Sequence, residues 1–463
     1  MPFLSRAETQ FLRRHLDAVC HVTLDPQGPG VLRIHLVPSR HRLLDVPFVA
    51  ILNGRDLLPL RVSWAILLAN FIEALRPYEG QTLTDADRDA AADAAVQATA
   101  AVYRSTPPEQ IAADLQGMMA TLFAVARGQT PPLAIQPIDL GDYAAHMAAP
   151  HRMDLLISAM VKDGAWHCNQ KCLHCYAARQ PYAEVEELDT DQWLAVIQKC
   201  RAAGVPQLTF TGGEPTLRHD LVKLVDAAQW FVTRLNTNGR MLTPVLCREL
   251  AEASLDSVQV TLYSADEATH NTLVGAEGFA DTVAGIKNAL AAGLNVSINT
   301  PLCSLNRDYA ATLAFARELG VRYATCSGLI PAGGAQSHAS RATRLTPEQL
   351  AASLRAALDL AAAREMEVDF TSPGWLSDET LRALGLTRLP RCGACLSNMA
   401  VAPDGTVLPC QSWLHGPALG NILHDPWRRI WNGRPCRTIR RRSARMRPGC
   451  PLGPTPIREE ADP

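Results

Sequence analysis

Residues 207 to 239 read QLTFTGGEPTLRHDLVKLVDAAQWFVTRLNTNG. An apolar run, QLTFTG, gives way to a pattern in which Leu221, Leu224, Val225 and Ala228 recur on one helix face, and a second run, TRLNTNG, starts at 233. The unit repeats outward in both directions. LLISAMV starts at 155, SVQVTLYS at 257, NVSINTPL at 295 and YATCSGLI at 323. Helical segments at about 189–203, 219–230, 243–254, 279–292 and 308–319 separate the runs, and Gly293 stands where a helix C-cap is expected. Six strands alternating with helices predict a parallel sheet with right-handed crossovers, an α/β fold built on a partial (β/α)6 TIM-like barrel.

Polar or glycine-rich signatures follow the strand ends. Three cysteines come after the first strand, then Gly212, Gly213 and Glu214 after the second, and Asn236, Thr237, Asn238 and Gly239 after the third. The fourth ends in Thr261 and Ser264, the fifth in Asn299 and the sixth in Gly328 to Pro331. Active sites of such barrels are built at the C-terminal rim, so one rim is expected to collect every candidate.

The chain has 463 residues, which suggests about three domains at about 150 residues each. With 47% apolar and 19% charged residues it is no disordered chain. A net charge of -2 gives no whole-chain case for nucleic acid or membrane binding. The N-terminal MPFLSRAETQFLRRHLD lacks the apolar centre of a secretory signal, and the run Val62 to Leu75 is short and interrupted by Asn70 and Glu73. A cytoplasmic protein without a membrane span is expected. Disulfides are rare there, so 13 cysteines point to metal binding or catalysis. Cys168, Cys172 and Cys175 form one set, and Cys392, Cys395, Cys410, Cys436 and Cys450 another. Of the rest, Cys200, Cys247 and Cys326 read as core thiols, while Cys303 follows a strand end and either packs or faces the rim.

Cys168-x3-Cys172-x2-Cys175 offers three thiolates in a loop with no fourth cysteine beside them. A structural zinc site would need His167 or His174 as fourth ligand. A 4Fe-4S cluster held by three cysteines would instead leave one iron open to a ligand. CNQKCLHC, followed by TGGEP and NTNG at successive strand ends, resembles the radical S-adenosylmethionine (SAM) family over about 155 to 335. The resemblance implies that the open iron chelates the amino and carboxylate groups of SAM. One electron then cleaves the sulfonium to a 5'-deoxyadenosyl radical that abstracts a substrate hydrogen. Cys168, Cys172 and Cys175 become the cluster ligands, and an external one-electron donor of flavodoxin or ferredoxin type is implied. His174 takes the place of an aromatic residue whose backbone contacts adenine. Gly212, Gly213 and Glu214 would meet the SAM amino group, Asn236 and Thr237 the ribose and methionine end, and Thr261 replaces a serine often found there. Leu329 and Ile330 would pack on adenine. A basic residue that some relatives carry has no counterpart in HNTLVG, residues 270 to 275.

In the C-terminal set, Cys395-x9-Gly405-x4-Cys410 encloses MAVAPDGTVLP (399–409), which predicts a β-hairpin turning at Asp404-Gly405 and bringing Cys395 near Cys410. This resembles the auxiliary-cluster extension of radical SAM enzymes, called SPASM or, in its shorter form, twitch. Five cysteines imply one auxiliary 4Fe-4S cluster with one thiol to spare, Cys392 or Cys436 being the expected spare; tetrathiolate zinc is the alternative. Nine arginines and no acid lie between Arg428 and Arg447, a solvated basic face or a surface for an acidic peptide or RNA. No RNA-binding module accompanies them, so nucleic acid is not expected as a partner.

Residues 1–140 read as an α+β domain. VLRIHLVPS and VPFVAILNG form a hairpin, WAILLANFIEAL, 84–104 and TPPEQIAADLQGMMATLFAVARG form helices, the last with a cap at Thr106, and TPPLAIQPI (130–138) is a linker. The order is similar to the winged-helix domains that bind a leader peptide in maturases of ribosomally made peptides, with a plain structural extension as the other reading. The remaining domains are expected at 150–340 (radical SAM core), 341–385 (helical linker) and 386–463 (auxiliary iron-sulfur domain). The expected function is hydrogen abstraction from a peptide that is then crosslinked or oxidised. The alternatives are a small-metabolite radical enzyme and a non-catalytic zinc-binding interaction protein.

Overall fold

A computed structural model of the chain describes residues 4–15, 19–24, 32–38, 48–53, 56–78, 83–127, 129–135, 138, 147–386, 388–445 and 450–453. The boundary expected at residue 140, linker residues 136 and 137, and Arg447 lie outside the described residues. The chain forms two compact units, Met1–Ala149 and Pro150–Pro463.

The first unit is an antiparallel sheet in the order β1 (Cys20–Leu24), β2 (Leu32–Val37), β3 (Phe48–Leu52) and β4 (Asp56–Leu60). Helices Arg6–His15, Val62–Leu75, Asp85–Val102 and Pro108–Ala126 accompany it. Sheet residues such as Ile34, Leu36 and Leu58 share a core with Ile66, Leu68 and Leu122 of the helices. The expected hairpin is only the sheet's middle. Both edge strands escaped the sequence reading, β4 because it holds Pro59, which argues against a central strand but is tolerated at an edge. The cap expected at Thr106 is also corrected. The last helix begins at Pro108 behind Pro107 with no side-chain cap, and Thr106 closes a turn onto the Tyr103 carbonyl at 3.0 Å.

In the second unit β5 (Arg152–Ser158) leads into a small hairpin, β6 (Val161–Lys162) and β7 (Ala165–Trp166). Then follow β8 (Gln207–Gly212), β9 (Val232–Thr237), β10 (Ser257–Thr261), β11 (Asn295–Leu302), β12 (Tyr323–Gly328), β13 (Glu367–Phe370), β14 (Asn398–Val401) and β15 (Val407–Leu408). The sheet order is β13-β12-β11-β10-β9-β8-β5-β14-β15, with every neighbouring pair parallel except β14 and β15. The six expected strands form its contiguous middle, and the five expected helices lie at Thr190–Ala203, Leu221–Asp226, Pro244–Glu252, Phe279–Ala291 and Tyr309–Glu318. Cys200, Cys247, Cys303 and Cys326 are all fully buried.

Two expectations change. The segment 341–385 is not purely helical, because β13 within it extends the sheet beyond β12. Nor is the C-terminal region a separate body: its hairpin, formed as expected with Gly405 at a positive φ of 85°, pairs in parallel with β5. EVDF and NMAV are four-residue runs, too short for periodicity to identify. Each covers a sheet edge that would otherwise expose unpaired backbone groups.

This pairing fixes where the cysteines stand. Asn398 opposes Arg152 at the start of β5, so the residues before β14 and after β15 lie at the N-terminal end of β5. The loop 168–175 follows its C-terminal end. Seven strand residues span about 20 Å. The two cysteine sets therefore sit at opposite mouths of the barrel rather than on one rim.

Candidate functional site

The loop carrying Cys168, Cys172 and Cys175 is clamped from three sides. The amides of Lys171 and Leu173 donate to the carbonyls of Val274 and Leu273 at 3.0 and 2.9 Å. Asn238 Nδ2 donates to Asn169 Oδ1 at 2.6 Å and Arg240 Nη1 to the Asn169 carbonyl at 2.8 Å, tying the loop to the segment after β9. From beyond β12, Gly334 N–H reaches the Cys175 carbonyl at 2.8 Å and Ser340 Oγ the Leu173 carbonyl at 2.9 Å. Gly333 makes this approach possible: at φ +56° a Cβ there would stand 2.5–2.6 Å from the carbonyl oxygens of Tyr176, Ala178 and Cys175. The three sulfurs line a cavity of about 600 Å³. Burial pushes the Cys168 thiol up to about 12 and those of Cys172 and Cys175 upward too, and at Cys172 the other two sulfurs add to the rise. Three thiolates so placed require a strongly cationic partner, and the donor set fits the cluster.

The end of β8 is held against the end of β5. Gly213 N–H donates to the Ser158 carbonyl at 2.7 Å. At Gly212, φ +136°, a Cβ would stand 2.2 Å from Ser158 O. The glycine pair thus permits backbone approach to β5 as well as to any ligand. Glu214 is 1% exposed and faces protein donors. Its Oε1 accepts from Thr216 N–H (3.0 Å), Thr216 Oγ1 (2.6 Å) and Thr237 Oγ1 (2.7 Å), and its Oε2 from Asn238 N–H (2.8 Å). Burial raises its pKa against these bonds. Oε2 has one protein donor and is the oxygen with acceptor capacity left for an ammonium.

Thr261, Leu329 and Ile330 line the same cavity as Gly212, Gly213 and Glu214, and so do His174, Asn236 and Thr237. His174 Nε2 lies 2.8 Å from Thr343 Oγ1 and burial lowers its pKa to about 4, so the ring is neutral. Asn236 Oδ1 is buried without a hydrogen-bond partner.

Sequence reasoning missed the floor of the cavity. Arg152, Arg234, Gln259, Tyr323 and Thr325 project from alternate strand positions into it, beside Asn299, which the sequence did mark. The signal was the polar alternation within the strands, as in Thr-Arg-Leu-Asn-Thr of β9, which was read only at its end. Arg152 Nε pairs with Asp154 Oδ1 at 2.8 Å, and Asp154 is 0% exposed. Gln259 Nε2 donates to Thr325 Oγ1 at 3.2 Å, and Thr325 Oγ1 in turn to Asn299 Oδ1 at 2.9 Å.

At the far mouth, Cys392, Cys410 and Cys450 line the cavity. Cys395 and Cys436 do not; they are 0% and 1% exposed and hydrogen-bonded to each other. Cys395 N–H donates to the Pro409 carbonyl at 3.1 Å, so the hairpin does bring it beside Cys410. Cys392 is hydrogen-bonded to Cys450 and accepts from Ser443 Oγ at 3.7 Å. Arg440, from the basic helix Arg434–Arg445, donates to Cys436 Sγ at 3.6 Å while its guanidinium lies 3.9 Å from the centre of the Trp431 ring.

Comparison with known proteins agrees with this geometry. The radical SAM superfamily profile matches residues 167–329, and the SPASM profile, an iron-sulfur cluster-binding domain, matches 392–451. The chain is 30% identical to the PqqA peptide cyclase of Ruegeria pomeroyi over 263 residues, 55% of this chain and 67% of that protein. Among solved structures it resembles SuiB of Streptococcus suis, with TM-score 0.55 and 14% identity over 86% of this chain and 87% of the other. Native anSMEcpe with bound AdoMet is similar at TM-score 0.50 and 15% identity over 63% and 83%. At these identities the structures speak to the fold. No helix among the described residues is long and apolar enough to cross a membrane.

Proposed function

We propose that this chain, which belongs to the radical SAM superfamily and carries a SPASM iron-sulfur domain, abstracts hydrogen from a ribosomally made peptide and thereby crosslinks or oxidises it. It is a radical SAM enzyme, with a 4Fe-4S cluster and SAM as cofactors. When bound, these supply reductive cleavage of the sulfonium to a hydrogen-abstracting 5'-deoxyadenosyl radical. Cys168, Cys172 and Cys175 would hold the cluster. Gly212, Gly213, Glu214, Asn236, Thr237 and Thr261 line the amino-acid and ribose end of SAM, and the His174 backbone, Leu329 and Ile330 its adenine. One auxiliary 4Fe-4S cluster would be held by four of Cys392, Cys395, Cys410, Cys436 and Cys450; of the two expected spares, Cys436 is favoured over Cys392, because Cys392 lines the cavity with Cys410 and Cys450.

One observation carries this reading: a single cavity has cysteines of both sets on its wall and polar strand residues between them. A substrate there lies between the radical source and an electron acceptor. The peptide class is supported by the PqqA peptide cyclase relative and by the SuiB structure bound to its precursor peptide SuiA. The sheet of the first unit supports leader binding, since among the described residues edge strand β1 pairs only with β2 and can accept an added strand. A cytoplasmic flavodoxin- or ferredoxin-type protein completes the scheme as electron donor.

The test is anaerobic reconstitution with iron and sulfide, then SAM and dithionite, with mass spectrometry for 5'-deoxyadenosine. Wild type forms it and Cys172→Ala does not. Coexpression with short peptides encoded beside the gene should give one that loses hydrogen or gains a crosslink. If 5'-deoxyadenosine formation responds only to small metabolites, the peptide assignment fails.

A further inference from the structure

Four charged side chains, Arg152, Glu214, Arg234 and Arg391, stand on the cavity wall. Three are accounted for. Arg152 pairs with Asp154, Arg391 Nη1 lies 3.4 Å from Asp378 Oδ2, and Glu214 takes four protein donors. Arg234 differs. Among the described residues its guanidinium makes no ion pair and no hydrogen bond, and its Nε is fully buried. Asp154 lies in the same register row, Asp154↔Thr209↔Arg234, but its carboxylate is engaged by Arg152. The cavity floor therefore carries an excess positive charge.

We propose that Arg234 is the anchor for a carboxylate of the substrate, either an acidic side chain or a chain terminus. Arg234 is half-buried with its Nε fully buried and unpartnered, a costly placement for a cation, and its planar fork is shaped for a carboxylate that arrives with a ligand. The position suits this role. Arg234 is the third residue of β9, three residues before Thr237 at the SAM-facing end, and thus deeper in the barrel than the expected methionine site. Asn236, two residues on and on the same face, lies between Arg234 and the SAM-facing end of the strand. The inference deepens the peptide reading and rests on it, since it assigns a chemical preference to that cavity.

The test is isothermal titration of the full, anaerobically reconstituted chain without SAM or reductant. The probes are N-acetylglutamate α-amide, its neutral isostere N-acetylglutamine amide, and N-acetylalanine as a chain-terminal carboxylate. Wild type should bind at least one carboxylate probe about tenfold or more tighter than the neutral isostere. Arg234→Gln should abolish that preference, and Arg234→Lys should keep part of it as a point charge. Whichever carboxylate probe binds tighter identifies the source. No preference in wild type, or an undiminished one in Arg234→Gln, overturns the assignment. A lowered melting midpoint in Arg234→Gln also overturns it, because that would make Arg234 structural. In a separate arm, a loss of SAM affinity in Arg234→Gln equal to the loss for the probes would assign the carboxylate to SAM and overturn the substrate role. Because the probe titrations need no radical chemistry, their failure leaves 5'-deoxyadenosine formation intact as an independent result.

Discussion

Replacing Gly212 by alanine tests how the β8 end is seated on β5. At φ +136° the backbone lies where L-residues rarely go, which costs about 1–3 kcal/mol. The new Cβ would also stand 2.2 Å from Ser158 O and 2.8 Å from Ser158 N. These are backbone atoms of a neighbouring strand, so no rotamer change relieves the clash, and the strands must part for about 1–3 kcal/mol more. The sum is about 4 kcal/mol, or about 6 °C in melting temperature for a unit of this size. Gly293→Ala is the matched control, with φ +79° and nothing within 4 Å of the added Cβ. It meets conformational strain alone, about 1 kcal/mol and about 1.5 °C. Thermal unfolding of the reconstituted chains followed by circular dichroism gives both numbers. SAM affinity should fall in Gly212→Ala, since Glu214 moves with the strand end, and stay unchanged in Gly293→Ala. Equal melting shifts in the two variants would refute the claim that Gly212 exists for close approach.

Arg152→Met strands the buried Asp154 carboxylate and should cost about 3–5 kcal/mol in denaturant unfolding, most of it recovered in Arg152→Met/Asp154→Leu. Thr237→Val keeps the side-chain shape but removes a 2.7 Å donor to the Glu214 carboxylate, so stability should drop by about 2 kcal/mol. His270 is fully buried with its Nδ1 accepting from Tyr263 N–H at 3.3 Å, and burial lowers its pKa from 6.5 to about 4. The folded state thus binds the proton less readily than the unfolded one. Its contribution is fully present above pH 6.5 and shrinks as pH falls toward about 4, by up to about 3 kcal/mol. His270→Asn should flatten that part of the stability profile measured by urea unfolding.

The legible parts of this protein were those with long, regular signals. Each central strand lies beside a helix with a clear apolar face, as in Leu221, Leu224 and Val225, and each ends in a polar or glycine-rich turn. The strands at the sheet edges carried too few residues to declare a period, and their placement depends on partners distant in sequence: Phe370 on Cys326, Asn398 on Arg152. The same long-range pairing hid the location of the C-terminal cysteines. Their spacing gave the hairpin, but only the register of β14 on β5 sets them at the mouth opposite Cys168. Glu214 was found by motif, while its four protein donors come from residues 216, 237 and 238, which only folding gathers.

The polar inner face is what turns this architecture into a site. A closed barrel normally fills its interior with branched apolar side chains in layers. Here Arg234 and Asn236 on β9, Gln259 on β10, Asn299 on β11 and Thr325 on β12 occupy that interior. Such residues are stable in a barrel only if they pair with one another or with a ligand. Gln259, Thr325 and Asn299 do the first, while Arg234 Nε and Asn236 Oδ1 remain unpaired. The satisfied residues lie on β10 to β12, whereas Arg234 Nε and Asn236 Oδ1 lie on one face of β9, whose end carries Thr237 and Asn238. A substrate carboxylate on Arg234 is therefore held by the same strand that positions Glu214, so substrate and SAM would be registered against each other by a single rigid element.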